Sequence, residues 1–189
     1  IDLAIRGAIL DLSEFPDFDE AIADIYPGVM TALTFKDHVF GVPFEMGWTQ
    51  AFYRTDIFSD LGISVPNTWD EFKAIIPKIQ AQGKDPWLST IGNTADGHVR
   101  AFVPFIYQRG ADLFTEDGLK SNLDSPEALE AFKLFTSFYT DYKLPMELPE
   151  VQAFMSGDSP YMVTLNWIYA QIIRTQPQLQ GKWTIAQAP

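Results

Sequence analysis

The clearest place for chemistry in this sequence is a tryptophan at a turn between a strand and a helix. In the stretch YMVTLNWIYAQII (161–173), residues 162–165 have the composition of a buried strand and residues 168–174 have the pattern of a helix. Trp167 therefore stands where the free N–H groups of a helix N-terminus point outward. A hydroxylated ligand could accept those hydrogen bonds while it stacks on the indole. We therefore expect Trp167 to contact a ligand.

A second constellation is Glu45 with Trp48 in the segment PFEMGWTQ. Glu45 is the candidate acidic residue with an aromatic neighbour, and a carboxylate pair across a cleft would be the machinery of a glycoside hydrolase. Trp48 suits either a hinge or core residue or a ligand contact, and the sequence leaves both roles open. Trp69, Trp87 and Trp183 stand at helix and strand starts, where we expect them to pack.

Several other kinds of chemistry are excluded or unsupported. The chain has no Cys, which excludes thiolate catalysis, disulfides and Cys-ligated zinc. His38 and His98 are far apart in sequence, so we expect no metal site, and no phosphate-binding glycine loop or serine-hydrolase motif occurs. A net charge of −12 argues against a nucleic-acid partner, because there is no surplus of Lys and Arg for phosphates. We expect no cofactor.

The size and composition describe one or two globular domains. The chain has 189 residues, of which 47% are hydrophobic and 14% aromatic, and this aromatic content exceeds what a core alone usually needs. No signal peptide is visible, and no apolar run approaches the roughly 20 residues of a membrane helix. Both ends look cut, so we expect a fragment.

The elements that would position these residues alternate between helices and short apolar strands. The segments TQAFYR (49–54) and WTIA (183–186) predict strands, and GNTADGH (92–98) predicts a loop. This order predicts an α/β layered domain. Ligand sites in such sheets gather at the carboxyl ends of strands, where both the 92–98 loop and the turn at Trp167 are expected.

Two helices are strongly marked in the sequence. Thr68 and Glu71 have the spacing of a capping box at the start of the first helix. Ser125 as N-cap and Pro126 as first helical residue begin the second. The apolar spacing of the second helix predicts a buried face made of Leu129, Phe132, Phe135 and Tyr139.

Three segments together resemble a known family. The segment GVPFEMGWTQAFYRTDIFSDLGISVPNTWDEF (41–72) resembles the hinge-crossing segment of extracytoplasmic solute-binding proteins of carbohydrate ABC importers, the cluster that includes maltose-binding protein. QAFMSGDSPYMVTLNWIYAQI (152–172) resembles the family's strand–turn–helix element that carries a tryptophan, and GKWTIAQAP (181–189) resembles the strand that returns through the hinge. The match runs from about residue 7 to residue 189.

The resemblance implies a type II periplasmic-binding-protein fold, in which two α/β lobes close on a ligand. The chain would hold mainly the second lobe with part of the first. Residues 1–45 would be the end of the first lobe and the hinge approach, residues 46–183 the second lobe, and residues 184–189 the return hinge strand.

The resemblance also implies a binding site. Trp167 falls on the family's sugar-stacking aromatic, Glu45 and Trp48 fall at the hinge edge of the cleft, and the loop from Asn93 to Arg100 falls where the family places further cleft residues. Asn166 stands where relatives often have a small residue, so it could add a hydrogen bond. The predicted ligand-binding residues are Trp167, Trp48, Glu45, Asn166, His98, Arg100, Asn93 and Tyr169.

The function implied is extracytoplasmic capture of a carbohydrate, in the periplasm or on a cell-surface lipoprotein. A monomer would deliver the sugar to the membrane permease of an ABC transporter, with no chemistry on the ligand. Two alternatives stay open, namely a glycoside hydrolase or other carbohydrate-processing enzyme, and a binding protein for a non-sugar solute. Arg100 and His98 could shift the preference toward an acidic sugar.

Overall fold

The computed structural model describes residues 2–88 and 95–189. By their internal contacts the residues form two compact units, Ile1–Gly47 and Trp48–Pro189. No helix in the described ranges is both long enough and apolar enough to cross a bilayer.

The first unit consists of short helices and one small hairpin. Its elements are α1 (Asp2–Ile5), α2 (Phe18–Ile22), α3 (Pro27–Met30), β1 (Thr34–Phe35) and β2 (His38–Val39), with 3-10 turns at Leu12–Glu14 and Thr31–Leu33. β1 and β2 pair antiparallel. Lys36 and Asp37 both have positive φ, at 51° and 66°, as a two-residue type I′ hairpin turn requires.

A carboxylate ties this hairpin to the segment before it. Asp11 accepts hydrogen bonds from the Ser13 hydroxyl at 2.6 Å and from the Val39 N–H at 3.2 Å, and it pairs with Nδ1 of His38. These bonds, led by that from Ser13, hold the pKa of Asp11 at about 2. The hairpin is therefore anchored by an ionised side chain at neutral pH.

The second unit contains most of the regular structure. Its elements are β3 (Thr49–Arg54), α4 (Thr55–Leu61), α5 (Trp69–Gln80), α6 (Ala95–Tyr107), α7 (Pro126–Thr140), α8 (Glu150–Ser156), β4 (Tyr161–Leu165), α9 (Ile168–Thr175) and β5 (Trp183–Ala186), with a 3-10 turn at Pro177–Leu179.

The sheet of the second unit places several strand ends together. β3 is the central strand and pairs antiparallel with both β4 and β5, so that Ala51 faces Val163 on one side and Ala186 on the other. β4 and β5 therefore run in the same direction, and Trp87 forms a parallel bridge to Met162 of β4. The carboxyl ends of β4, β5 and the segment through Trp87 consequently lie where β3 begins.

Each face of this sheet is covered by helices, which makes a three-layer α/β unit. Successive side chains of a strand point to opposite faces. Ala51, Tyr161 and Val163 pack into one core with residues of α5, α6 and α7. Phe52 and Met162 pack into a second core with residues of α8 and α9. The predicted α/β layering is confirmed.

Most of the predicted element boundaries are confirmed. Strands run over 49–54 and 183–186 as the sequence predicts. The Thr68 hydroxyl accepts the Glu71 N–H at 3.2 Å, and the Ser125 hydroxyl accepts the Ala128 N–H at 3.2 Å, so both helix starts are capped. The Glu71 carboxylate accepts the Asn67 N–H at 2.7 Å, one residue before the N-cap.

Two local predictions are wrong in part. The predicted loop 92–98 already belongs to α6 from Ala95 onward, whereas residues 92–94 lie outside the described ranges. On α7 the predicted core residues Phe135 and Tyr139 do pack against the core, but Leu129 and Phe132 are about half exposed. The fully buried residues of α7 are Ala128, Ala131 and Phe138. The physical reason is that the small side chains of Ala128 and Ala131 let α7 lie close to its neighbours on their side of the helix, which leaves Leu129 and Phe132 outside the buried stripe.

Tyr161 offers a test of the core's energetics. Its side chain is fully buried, and its hydroxyl has no hydrogen-bond partner among the residues that the structure describes. A buried unpaired hydroxyl costs about 1–3 kcal/mol. We therefore expect Tyr161→Phe to raise the free energy of unfolding of the full-length protein by about 1 kcal/mol in urea denaturation, since the ring packing is kept.

The same substitution should change the alkaline limit of stability. Burial raises the pKa of Tyr161, so the folded protein resists formation of the phenolate. The contribution of this group to the free energy of unfolding is fully present below the ordinary tyrosine pKa of about 10, and it falls as the pH rises above that value. Tyr161→Phe should reduce that fall, which urea denaturation at a series of alkaline pH values would measure. A less stable Tyr161→Phe protein would contradict this account.

Candidate ligand-binding surface

Two residues that are far apart in sequence are joined at the end of the sheet. The Asn166 N–H donates to the Trp48 carbonyl at 3.0 Å, and the Trp48 N–H donates to Oδ1 of Asn166 at 3.2 Å. Both bonds lie just beyond the last strand pair, Thr49 with Leu165. The Asn166 side chain thus extends the pairing of β3 and β4 by one position and fixes the backbone of Trp48.

The turn after β4 presents a second indole. Trp167 is the N-cap of α9 but has helical φ and ψ of −61° and −22°, so helical hydrogen bonding begins early. The Asn166 carbonyl accepts the Tyr169 N–H at 3.1 Å, and the Trp167 carbonyl accepts the Ala170 N–H at 3.2 Å. Trp48 is 50% exposed and Trp167 is 49% exposed. We name Trp48, Asn166 and Trp167 the strand-end surface.

A hydrogen bond also orients the Trp48 ring. Its Nε1–H donates to Oε1 of Gln50 at 3.2 Å. Gln50 lies on β3 opposite Thr164 of β4. The indole of Trp48 is therefore held by its own backbone and by its ring nitrogen, although half of it is exposed. An exposed aromatic ring that is held in place loses little conformational entropy on binding a flat ligand.

A polar cavity lies beside the start of β3. Its volume is about 220 Å³. Polar side chains in its wall are Thr49, Arg100, Gln108 and Gln187, and aromatic and apolar ones include Trp69, Leu88, Phe105 and Val163. We name it the Arg100 cavity. A guanidinium, a hydroxyl and two amides can donate to hydroxyl or carboxylate oxygens of a ligand.

Hydrogen bonds fix the far wall of the Arg100 cavity. The Trp69 Nε1–H donates to Oε1 of Gln108 at 2.7 Å, and Nε2 of Gln108 donates to the Pro189 carbonyl at 2.6 Å. Trp69 also stacks on Phe105 with ring centroids 4.5 Å apart. Trp69 therefore packs as predicted, and Gln108 ties the segment after β5 to the helical layer.

The whole length of the sequence, residues 1–189, matches the sequence model for the bacterial extracellular solute-binding protein family. The chain belongs to this family. Such proteins bind solutes, and the family match agrees with the resemblance carried by the three quoted segments.

Individual relatives of this solute-binding protein are similar over most of its length. A lactose-binding protein from Rhizobium radiobacter is 26% identical over 97% of this chain and 42% of its own length. A maltotriose-binding protein from Pyrococcus abyssi is 26% identical over 79% of this chain and 32% of its own length. The chain thus spans less than half the length of these two relatives.

A solved structure confirms the fold class. An ABC transporter solute-binding protein from Thermotoga lettingae TMO, bound with α-D-tagatose, superposes with a TM-score of 0.83. The two are 22% identical, and the match covers 99% of this chain and 50% of the other. The chain therefore has the fold of about half of that solute-binding protein, which agrees with the predicted fold class of one lobe with part of another.

The structure brings together some of the predicted site residues of this solute-binding protein and separates others. Trp48 and Asn166 are hydrogen-bonded at the strand-end surface, with Trp167 next to Asn166 in the chain, and Arg100 lines a cavity together with Thr49. Tyr169 instead turns its ring edge to Trp183, with centroids 5.4 Å apart. It lines a different cavity of about 360 Å³ between α9 and β5.

Three predicted residues have no placement in the second unit's site. Glu45 is exposed and belongs to the first unit. Asn93 lies outside the described residues, and His98 is in α6 with a side chain that also lies outside them. Their contact with ligand stays a prediction. Within the described part of the chain, no group of three His, Cys, Asp or Glu residues could hold a metal ion.

The sequence reasoning missed the polar residues around the tryptophans. Gln50 holds the Trp48 ring, and Thr49, Gln108 and Gln187 line the Arg100 cavity. One signal existed for Gln50, because it follows Trp48 by two positions and so lies on the same side of an extended chain. Gln108 and Gln187 carried no comparable signal, since both stand just after a helix or a strand, where polar residues are ordinary.

Proposed function

We propose that the full-length protein captures a carbohydrate outside the cytoplasm and delivers it, as a monomer, to the membrane permease of an ABC transporter. It would do no chemistry on the ligand and would need no cofactor. The observation that carries the proposal is the strand-end surface, where the half-exposed indoles of Trp48 and Trp167 stand at one end of the sheet and that of Trp48 is held by a hydrogen bond to Gln50.

Sugar rings suit this arrangement. A pyranose has an apolar face that stacks on an indole and hydroxyls around its edge that need polar partners. Each aromatic contact contributes on the order of 1 kcal/mol beyond area burial. Thr49, the first residue of β3, and Arg100 both line the Arg100 cavity. They would donate to hydroxyls of a sugar that extends from Trp48 into this cavity.

The named relatives and the solved structure support a sugar as the solute. The relatives named above are a lactose-binding and a maltotriose-binding protein, and the solved structure holds α-D-tagatose. In the proposed assignment residues 1–45 end the first lobe, residues 46–183 form the second, and residues 184–189 return through the hinge. Closure of the two lobes would bury the ligand.

The test is calorimetric titration of the full-length protein with lactose, maltotriose and α-D-tagatose. We expect saturable binding of at least one sugar, and chromatography of the recovered sugar should show it unchanged. Hydrolysed sugar would replace the proposal with a glycoside hydrolase. Binding of acidic or peptide solutes with no response to any sugar would replace it with a non-sugar binding protein.

A further inference from the structure

One carboxylate joins two buried segments behind the strand-end surface. Oε2 of Glu150, the first residue of α8, accepts the Trp87 indole N–H at 3.2 Å and the Thr164 hydroxyl at 3.1 Å. Trp87 is 1% exposed and Thr164 is also buried. Thr164 precedes Asn166 by two residues, and Trp87 pairs with the neighbouring Met162. Glu150 therefore holds β4 and the segment beside it in register.

Strand pairing places Thr164 beside the residue that holds the Trp48 ring. Thr164 stands directly opposite Gln50 in the antiparallel pair of β3 and β4, so the two side chains lie on one face of the sheet. Gln50 in turn accepts the Trp48 indole N–H. Glu150 is thus hydrogen-bonded to Thr164, Thr164 lies opposite Gln50 across the strand pair, and Gln50 is hydrogen-bonded to Trp48. We expect a shift of Thr164 to reach Gln50 through the pairing of β3 and β4, and to reach the turn at Asn166 along the chain.

Glu150 stands at the start of a helix, a position that favours a carboxylate as hydrogen-bond acceptor. A carboxylate at the first turn of a helix is stabilised by the helix dipole and by free backbone N–H groups. Both bonds from Trp87 and Thr164 end on a single oxygen atom, Oε2. One oxygen with two lone pairs can accept both donors, so the pair of bonds requires an oxygen acceptor there rather than a negative charge.

We propose that Glu150 is a positioning residue for the sugar site: by accepting from Trp87 and Thr164, it sets where Trp48 and Trp167 are presented. This role rests on the proposed function for its effect on binding. The ligand would meet the indoles, and Glu150 would act through the strand and the turn that carry them.

The test compares Glu150→Ala with Glu150→Gln in the full-length protein. Glutamine keeps one acceptor oxygen for both donors and removes the charge, whereas alanine removes the acceptor as well. Glu147→Ala is the control, because Glu147 is an exposed acidic residue three positions earlier and its loss changes the net charge equally. The two readouts are the indole ¹H–¹⁵N resonances of Trp48 and Trp167 without ligand, and the dissociation constant for a sugar.

We expect Glu150→Ala to shift both indole resonances and to raise the dissociation constant about tenfold for whichever of lactose, maltotriose and α-D-tagatose binds. Glu150→Gln and Glu147→Ala should leave the resonances in place and the constant within about twofold. Unmoved indole resonances in Glu150→Ala would overturn the positioning role. Equal loss of affinity in the alanine and glutamine variants would also overturn it, by assigning the effect to the charge.

Failure of the proposed function is distinguishable from failure of this inference. A wild-type protein that binds none of the three sugars contradicts the proposed function. The indole resonances of the ligand-free variants decide the positioning role in that case, since they are measured without any sugar.

Discussion

Replacement of Arg54 by methionine is expected to lower the free energy of unfolding of the full-length protein by about 3 kcal/mol. Arg54 is 7% exposed; its Nε and Nη2 donate to the two oxygens of Asp56 at 2.9 and 2.7 Å. Its Nη1 donates to the carbonyls of Phe154 and Met155 at the end of α8, each at 3.2 Å. Methionine keeps the apolar length but leaves all four acceptors without this donor.

The dependence of stability on acid pH gives a second test of the role of Arg54. Partial burial raises the pKa of Asp56, but the hydrogen bonds from Arg54 and the Ile57 N–H outweigh burial and hold the pKa below its ordinary value. A lowered carboxyl pKa adds stability that is present above the ordinary Asp pKa of about 4 and is lost as the pH falls. The Arg54→Met protein should therefore lose less stability than the wild type on acidification.

The control for Arg54 is Arg174→Met, at an exposed position in the last turn of α9. This change should alter the free energy of unfolding by less than about 0.5 kcal/mol. Equal urea midpoints for Arg54→Met and Arg174→Met would contradict the role assigned to Arg54, because both substitutions remove the same charge.

Loss of the Trp167 ring is expected to weaken sugar binding by the full-length protein about tenfold or more. Trp167 is 49% exposed and follows Asn166, whose two hydrogen bonds to Trp48 hold the turn in place. Trp167→Ala removes the stacking surface and leaves those bonds intact. Titration calorimetry should show the loss in the dissociation constant, while the urea midpoint changes little.

Two further variants control the Trp167 result. Trp167→Phe keeps a smaller ring, so its affinity should lie between those of the wild type and Trp167→Ala. Phe132→Ala removes an aromatic ring of similar exposure from α7 and should leave the dissociation constant unchanged. If Trp167→Ala binds as tightly as the wild type, Trp167 is a packing residue and the stacking role is wrong.

The strands and helix starts of this protein were predictable because their signals are local. Residues 49–54 and 183–186 are short segments with aromatic or β-branched residues, and Thr68 and Ser125 cap helices through bonds to residues three positions on. The buried face of α7 was not predictable in the same way. Apolar residues occupy two overlapping stripes there, and the choice of Ala131 over Phe132 depends on how closely a neighbouring helix approaches.

The local sequence pattern predicts Trp167 as a candidate site residue, but it does not predict which other residues lie beside it. Trp167 follows from the pattern of a strand, a turn and a helix. Its neighbour Trp48 is brought to the same sheet end by the antiparallel pairing of β3 and β4 across more than a hundred residues. No local pattern encodes that pairing. The partners Gln50 and Glu150 depend on it, so the polar network behind the tryptophans required the structure.

The most direct test of the central claim is ¹H–¹⁵N spectroscopy of the tryptophan indoles in the full-length protein during titration with a sugar that binds, each resonance being assigned by a Trp→Phe substitution. Trp48 and Trp167 are half exposed at the strand-end surface, whereas Trp87 is buried in the core. We predict that the indole resonances of Trp48 and Trp167 shift in proportion to bound sugar while that of Trp87 does not. Saturable binding with both resonances unmoved would contradict the claim that this surface holds the ligand.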